Sequence, residues 1–188
     1  YDSKNLYPLR LSRKPFFLVL GRHDPHKNIP NILKALSLLK NKDIELWFVG
    51  SQDKRYTPKL QRLAIDLGLH RRCKWIPWVN DQERLILLNR CQALIIASLW
   101  EGFGLPAIEA MACETPVIAA AKGALPEVVD DAALLIDPID PASIAYAMDQ
   151  IISDGLLVHS LVQRGNERIK YFQWGKASKI IEEVIKSI

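Results

Sequence analysis

The chain has 188 residues, 49% apolar and 24% charged, and its 25 Lys and Arg against 21 Asp and Glu give a formal charge of +4. That is enough apolar material for the core of one large domain, and the charge is too mild for nucleic acid but suits an anionic ligand or a light membrane contact. No apolar run in these residues approaches the roughly 18 residues of a membrane span.

Residues 1–14 are polar and basic, carry Pro8, and read as a linker. From there to the end, short apolar runs alternate with helical patterns. The strand candidates are Phe16–Leu20, Glu45–Val49, Cys73–Ile76, Ala93–Ala97, Pro116–Ala119 and Ala133–Ile136. They lack polar alternation, as parallel strands covered on both faces do. Between them, Ile29, Ile32, Leu33, Leu36 and Leu39 recur at helical spacing, as do Leu60, Leu63, Ala64 and Leu67, and Ile144, Ala147, Met148 and Ile151. Gly68 reads as a helix stop and Asp81 as an N-cap. The alternation predicts an α/β class, a doubly wound Rossmann-like domain over 15–173 with a mostly parallel six-stranded sheet. Residues 174–188 read as a terminal helix whose Ile180, Ile181, Val184 and Ile185 need a partner surface. Cys73, Cys91 and Cys113 show no metal spacing and no even pairing, and read as buried free thiols of a reducing compartment. With no signal peptide at the start, a cytoplasmic location is expected, with the inner face of a membrane as a variant. Tyr1 is not a natural start, so a fragment is expected.

Ligands of open parallel sheets bind beyond the carboxyl ends of the strands, and the informative residues fall there. The most telling stretch follows the fourth strand, Glu101-Gly102-Phe103-Gly104-Leu105-Pro106-Ala107-Ile108-Glu109. Two carboxylates flank a glycine turn that enters a helix, with Pro106 suited to the first helical position. The unpaired amides and positive end of that helix make Gly104 to Pro106 a candidate anion site. Glu109 is expected in the helix's first turn. After the first strand come Gly21-Arg22 and Lys27-Asn28, a planar fork and a point charge on one loop that would suit a diphosphate. A solvated basic loop explains those two cations equally well. After the third strand, Pro77-Trp78-Val79 would hold a base, although packing alone explains Trp78.

Other chemistries fit less well. There is no Gly-x-Gly-x-x-Gly after the first strand, no Walker loop, and no metal-ligand spacing among His23, His26, His70 and His159. No Asp-x-Asp would carry a divalent ion, and with Arg22, Lys27 and a helix end no metal is expected and no cofactor beyond the donor. Paired acids also serve glycoside hydrolysis, but one acid precedes the helix and the other lies within it, which favours two ligand-gripping roles.

Gly21-Arg22 with Lys27-Asn28, the run from Glu101 to Pro106 with Glu109-Ala110-Met111-Ala112, Thr115 to Ala119, and Gly123 to Glu127 together resemble glycosyltransferase family 4. The resemblance covers residues 14–175, with the motifs in the family's order. It implies the C-terminal, donor-binding half of a GT-B fold in a retaining, nucleotide-sugar-dependent enzyme. By position, Arg22 and Lys27 would hold the diphosphate, Glu109 the ribose and Glu101 the transferred sugar. Gly21 and the Gly102, Phe103, Gly104 and Leu105 backbone would line the donor site, and Trp78 and Val79 would meet the base. The resemblance puts GDP-mannose slightly ahead of a uracil nucleotide with glucose. It also implies an acceptor-binding N-terminal domain outside this chain, against which the terminal helix would pack, and leaves room for peripheral membrane contact in the whole enzyme. Two positions depart from the family pattern: Glu114 and Pro77 stand where glycine is usual, and Glu114 is expected to face solvent. The rival from another class is a non-catalytic nucleotide-sugar-binding module that regulates a partner. A GT-B phosphorylase or an epimerase shares the fold but not all four motifs.

Overall fold

Six short apolar segments pair into one all-parallel sheet in the computed structural model, which describes residues 14–172 and 174–186. They are β1 (Phe16–Leu20), β2 (Glu45–Val49), β3 (Cys73–Ile76), β4 (Leu94–Ile96), β5 (Val117–Ala120) and β6 (Leu134–Ile136), in the order β3-β2-β1-β4-β5-β6. The first three match the expected bounds. β4 and β6 are trimmed, and β5 starts one residue late because Pro116 has no N–H for the ladder, although its carbonyl accepts from the Leu94 N–H at 2.9 Å.

The described residues form eight α-helices: α1 (Ile29–Leu38), α2 (Thr57–Asp66), α3 (Asp81–Arg90), α4 (Leu105–Ala112), α5 (Leu125–Val129), α6 (Pro141–Ser153), α7 (Gly155–Arg168) and α8 (Trp174–Lys186). The fold is thus an α/β Rossmann-like domain, as expected. The central strands are buried on both faces, which is why Phe17, Leu18, Leu46, Phe48, Leu94 and Ile118 show no alternation. α1 and α6 pack together and bury Ile32, Leu33 and Leu36 from one, Ile144 and Met148 from the other.

Four local expectations are corrected. The N-cap of α3 is Asn80, not Asp81. Asn80 accepts from the Glu83 N–H at 2.8 Å while the Glu83 carboxylate accepts from the Asn80 N–H at 2.9 Å, a reciprocal capping box. Asp81 is the first helical residue, where its charge meets the positive helix end. Pro106 is the second residue of α4 rather than the first, a position whose N–H is equally unpaired. Glu109 therefore falls in the second turn. Of the three thiols only Cys73 is fully buried, while Cys91 and Cys113 are half-buried; burial pushes the Cys73 and Cys91 thiols up to about 12.

The expected linker lies outside the described residues except for Lys14, which pairs with Asp43 at 3.1 Å. The terminal helix is present as α8, and residues 187 and 188 lie outside the described ones. Among the described residues no helix is long and apolar enough to cross a membrane.

The strand order has one consequence for function. β1 lies between β2 and β4, so successive crossovers run one way from β1 and then the other. Loops after β1 and β4 therefore diverge and leave a crevice between them, which is where such sheets bind ligands.

Candidate functional site

The loop after β1 is shaped by its neighbours. The Gly21 N–H donates to the Val49 carbonyl at 2.9 Å and the His23 N–H to the Ser51 carbonyl at 3.2 Å, so the exits of β1 and β2 run together. They approach so closely that a Cβ on Gly50, whose φ is +149°, would lie 2.1 Å from the Gly21 carbonyl oxygen. A short 3-10 turn at Pro25–Lys27 then ends at Asn28, which adopts a left-handed φ of 56°. The buried Asn28 amide donates to the Ala97 carbonyl at 3.1 Å and the Pro138 carbonyl at 2.5 Å. The Leu99 N–H donates to the His26 carbonyl at 2.7 Å. These bonds fasten the β1 loop to the β4 loop across the crevice.

There Lys27 meets Glu101. The Lys27 ammonium donates to Glu101 Oε1, and the Ser98 hydroxyl donates to the same oxygen at 2.8 Å. The Lys27 and Glu101 side chains are only 16% and 15% exposed. Burial pushes the Glu101 pKa up, but the hydrogen bonds from Lys27 and Ser98 and the Lys27 charge outweigh it, and the net value is lowered. The turn beyond is equally constrained. Gly104, at φ +88°, is the N-cap of α4, and a Cβ there would lie 2.6 Å from Leu125 Cδ2.

Arg22 is also engaged. Its Nη2 donates to Asp53 Oδ2 at 2.8 Å and its Nε lies 3.3 Å from Asp24. The Asp53 side chain, 5% exposed, also accepts from Arg55 Nη2 at 2.8 Å. The hydrogen bonds from Arg55 and Arg22 hold the Asp53 carboxyl well below the usual carboxylate range. Asp53 thus carries two guanidiniums on one buried carboxylate, and both heads stay open to solvent. Next to Arg22, His23 is buried against Phe48 and Trp75, with Nδ1 3.0 Å from the Thr57 hydroxyl. Burial lowers its pKa against the opposing pull of Asp24.

The second glutamate is paired as well. Arg84 Nη1 donates to both carboxylate oxygens of Glu109 at 2.8 Å. Trp78 and Val79 lead directly into α3, which carries Arg84; Trp78 is 65% exposed, so packing does not account for its side chain. Phe103 of the glycine turn meets Phe172 edge-on with ring centroids 5.7 Å apart. Trp100 stacks on His26 at 4.6 Å. Glu114, at φ 55°, is exposed as expected and occupies a left-handed position.

The residues expected to line the donor site lie on loops at the carboxyl ends of strands or on the helix that follows. The structure joins Lys27 to Glu101 directly. It keeps Arg22 with Asp53 and Glu109 with Arg84, as separate pairs. Ser98, Asp53 and Arg84 were missed, since nothing in their own neighbourhood in the chain marks them. Among the described residues no three His, Cys, Asp or Glu gather as a metal site.

Residues 8–168 match the family model described as Glycosyl transferases group 1. The O-antigen chain mannosyltransferase RfbU of Salmonella typhimurium is 32% identical over 149 residues, 79% of this chain and 42% of that protein. O-antigen chain mannosyltransferase B of Escherichia coli is 29% identical over 175 residues, 90% of this chain and 45% of that protein. The chain thus spans about half the length of these relatives. Among solved structures, the C-terminal domain of the glycosyl transferase group 1 family protein LpcC from Francisella tularensis superposes with a TM-score of 0.73 at 29% identity, covering 84% of this chain and 85% of that one.

Proposed function

The chain belongs to the Glycosyl transferases group 1 family, and on that premise we propose that it is the donor-binding half of a retaining family 4 enzyme that transfers a sugar from a nucleoside diphosphate to a hydroxyl acceptor. GDP-mannose is the first-choice donor, supported by the mannosyltransferases among the relatives. The observation that carries the reading is the Lys27–Glu101 contact at the point where the strand order reverses.

Each pair has a task in this reading. Lys27 has three N–H donors; one goes to Glu101 and the others face a phosphate oxygen. Arg22, steadied by Asp53, offers the remaining guanidinium edge. With the α4 amides, these groups meet the charge that grows on the departing diphosphate, and such preorganised stabilisation lowers the barrier. Glu101, fixed by Ser98 and Lys27, accepts from hydroxyls of the sugar. Glu109 accepts from the ribose, and Trp78 and Val79 face the base. No divalent ion is needed, because the cations come from the chain. The acceptor would be held by a separate N-terminal domain, with α8 packed against it.

Calorimetry on the chain with GDP, GDP-mannose, UDP and UDP-glucose tests this, with EDTA present throughout. The nucleoside diphosphates bind, and GDP-mannose binds most tightly. Glu109→Ala weakens GDP and GDP-mannose alike, whereas Glu101→Ala spares GDP and weakens GDP-mannose, each by about 1–3 kcal/mol for a stranded hydroxyl. No transfer occurs without the acceptor half. Absence of binding by any of the four, or a requirement for added metal, overturns the reading.

A further inference from the structure

One arginine outside the donor-site loops reaches the glycine turn by two routes. Arg168 is the last residue of α7, and its side chain is 20% exposed. Its Nε donates to the Val128 carbonyl at 3.0 Å and its Nη2 to the Glu127 carbonyl at 2.5 Å, while Nη1 lies 3.8 Å from Asp130 Oδ2. All three nitrogens serve the end of α5, where the last carbonyls lack partners within the helix. The guanidinium also lies over the Phe172 ring, 5.1 Å from its centroid. Phe172 in turn meets Phe103 edge-on. Arg168 itself has a firm base, because α7 docks closely on α4 at Gly165.

Both routes end at the turn that carries Glu101. On one side, the loop entering α5 lies against the Glu101 backbone. The Ala124 N–H donates to the Glu101 carbonyl at 3.4 Å, and a Cβ on Gly123 would lie 3.0 Å from that oxygen. Leu125, the first residue of α5, closes against Gly104. On the other side, Phe103 stands between Gly102 and Gly104. Glycine has the widest backbone freedom, so two of them leave a turn easy to deform. The ring between them gives a neighbour something to hold. Lys27 and Ser98 fix the Glu101 carboxylate, but neither holds the backbone beneath it.

We infer that Arg168 and Phe172 are positioning residues for Glu101: they brace the 101–104 turn from two sides and thereby set how strongly the chain prefers a nucleotide sugar to the bare nucleotide. The inference rests on the reading of Glu101 as the ligand of the transferred sugar. In that reading the bare nucleotide is held chiefly by Arg22, Lys27 and Glu109, none of which lies on the turn. A turn that shifts therefore costs the sugar conjugate more than the nucleotide.

The test is calorimetry on the 188-residue chain with GDP and GDP-mannose, and with UDP and UDP-glucose in parallel, the tighter-binding pair being decisive. Unsubstituted protein prefers the sugar conjugate by about tenfold, the effect of one hydrogen bond to a charged group. Arg168→Met and Phe172→Ala each lose most of that preference, and Phe172→Tyr, which keeps the ring, retains it. Phe103→Ala reads the same ring contact from its exposed partner. The Phe103→Ala/Phe172→Ala double variant loses no more than either single one, since both remove one contact. Thermal melts report folding, and if Arg168→Met or Phe172→Ala does not fold, Phe103→Ala and Phe172→Tyr decide. A purely structural role lowers the melting temperature and leaves the preference intact, and that result overturns the inference. A loss in Arg168→Met with none in Phe172→Ala overturns the role of Phe172. If the unsubstituted protein binds neither sugar conjugate better than its nucleotide, the sugar role of Glu101 itself falls, and the positioning role with it.

Discussion

Replacing Lys27 with methionine keeps the length of the side chain and removes its charge. The Glu101 carboxylate then stays 15% exposed with only Ser98 as a partner. A hydrogen bond to a charged group contributes about 1.5–3 kcal/mol, and both side chains are shielded enough for that range to hold. Against a total stability of about 5–15 kcal/mol the loss is large. At about 2–4 °C per kcal/mol for a domain of this size, it lowers the melting temperature by roughly 3–12 °C. Glu101→Gln in the Lys27→Met background removes the stranded charge while keeping an oxygen for Ser98, and so recovers stability. Urea unfolding of the two single variants and the double variant forms a thermodynamic cycle, valid while the m-value stays constant. The expected coupling is about 1–2 kcal/mol. The pair also carries a sign in pH. The folded pKa of Glu101 lies below its ordinary 4.5, so its stabilisation is complete above about that pH and fades as pH falls through the lower folded value. The penalty of Lys27→Met therefore shrinks in acid. Additive single effects, or a penalty that is constant with pH, would show that Lys27 and Glu101 do not stabilise each other.

Gly50→Ala places a Cβ 2.1 Å from the Gly21 carbonyl oxygen in a positive-φ conformation; a loss of about 2–4 kcal/mol follows from strain and overpacking. It comes with weaker nucleoside diphosphate binding as the Arg22 loop shifts, and unchanged melting and affinity would refute the close approach. Glu114→Gly relieves a left-handed φ of 55° at an exposed site, so a gain of about 0.5–1 kcal/mol is expected in the urea midpoint. His23 is held neutral by burial, with a folded pKa below its ordinary 6.5. The unfolded chain then binds more protons below that pH, so stability is full above about 6.5 and drops as pH falls beneath it. His23→Gln removes that slope, read as urea midpoints at about pH 7 and about pH 5.5.

The layers of the fold were legible because doubly covered parallel strands read as unbroken apolar runs, and α1, α2 and α6 present continuous apolar faces. α3 and α7 left weaker traces. α3 buries only Leu87 and Leu88, and α7 only Leu161 and Gly165. Gly165 permits the contact with α4, because a Cβ there would lie 3.2 Å from Met111 Cγ. A helix docked through a small residue needs few apolar side chains and shows little periodicity. The cap of α3 was misplaced by one residue for a related reason. Asn80 and Asp81 both cap well, and the spacing to Glu83 decides between them.

The candidate site was legible as a set of loops but not as a set of pairs. Arg22 and Lys27 read as two cations awaiting one diphosphate. In the fold each has its own carboxylate, Asp53 for Arg22 at 31 residues' separation and Glu101 for Lys27 at 74. Neither distance along the chain hints at contact, but the strand order does. β1 is flanked by β2 and β4, so the loop after β1 is bordered by the loop that bears Asp53 and the loop that bears Glu101. A cation leaving a parallel strand meets the acids that leave the two neighbouring strands, whatever their distance in sequence. Alternating strands and helices establish that the sheet is parallel, yet they leave open which strands are neighbours. That neighbour order is the quantity that local patterns in the chain do not carry, and it decides here which cation holds which acid.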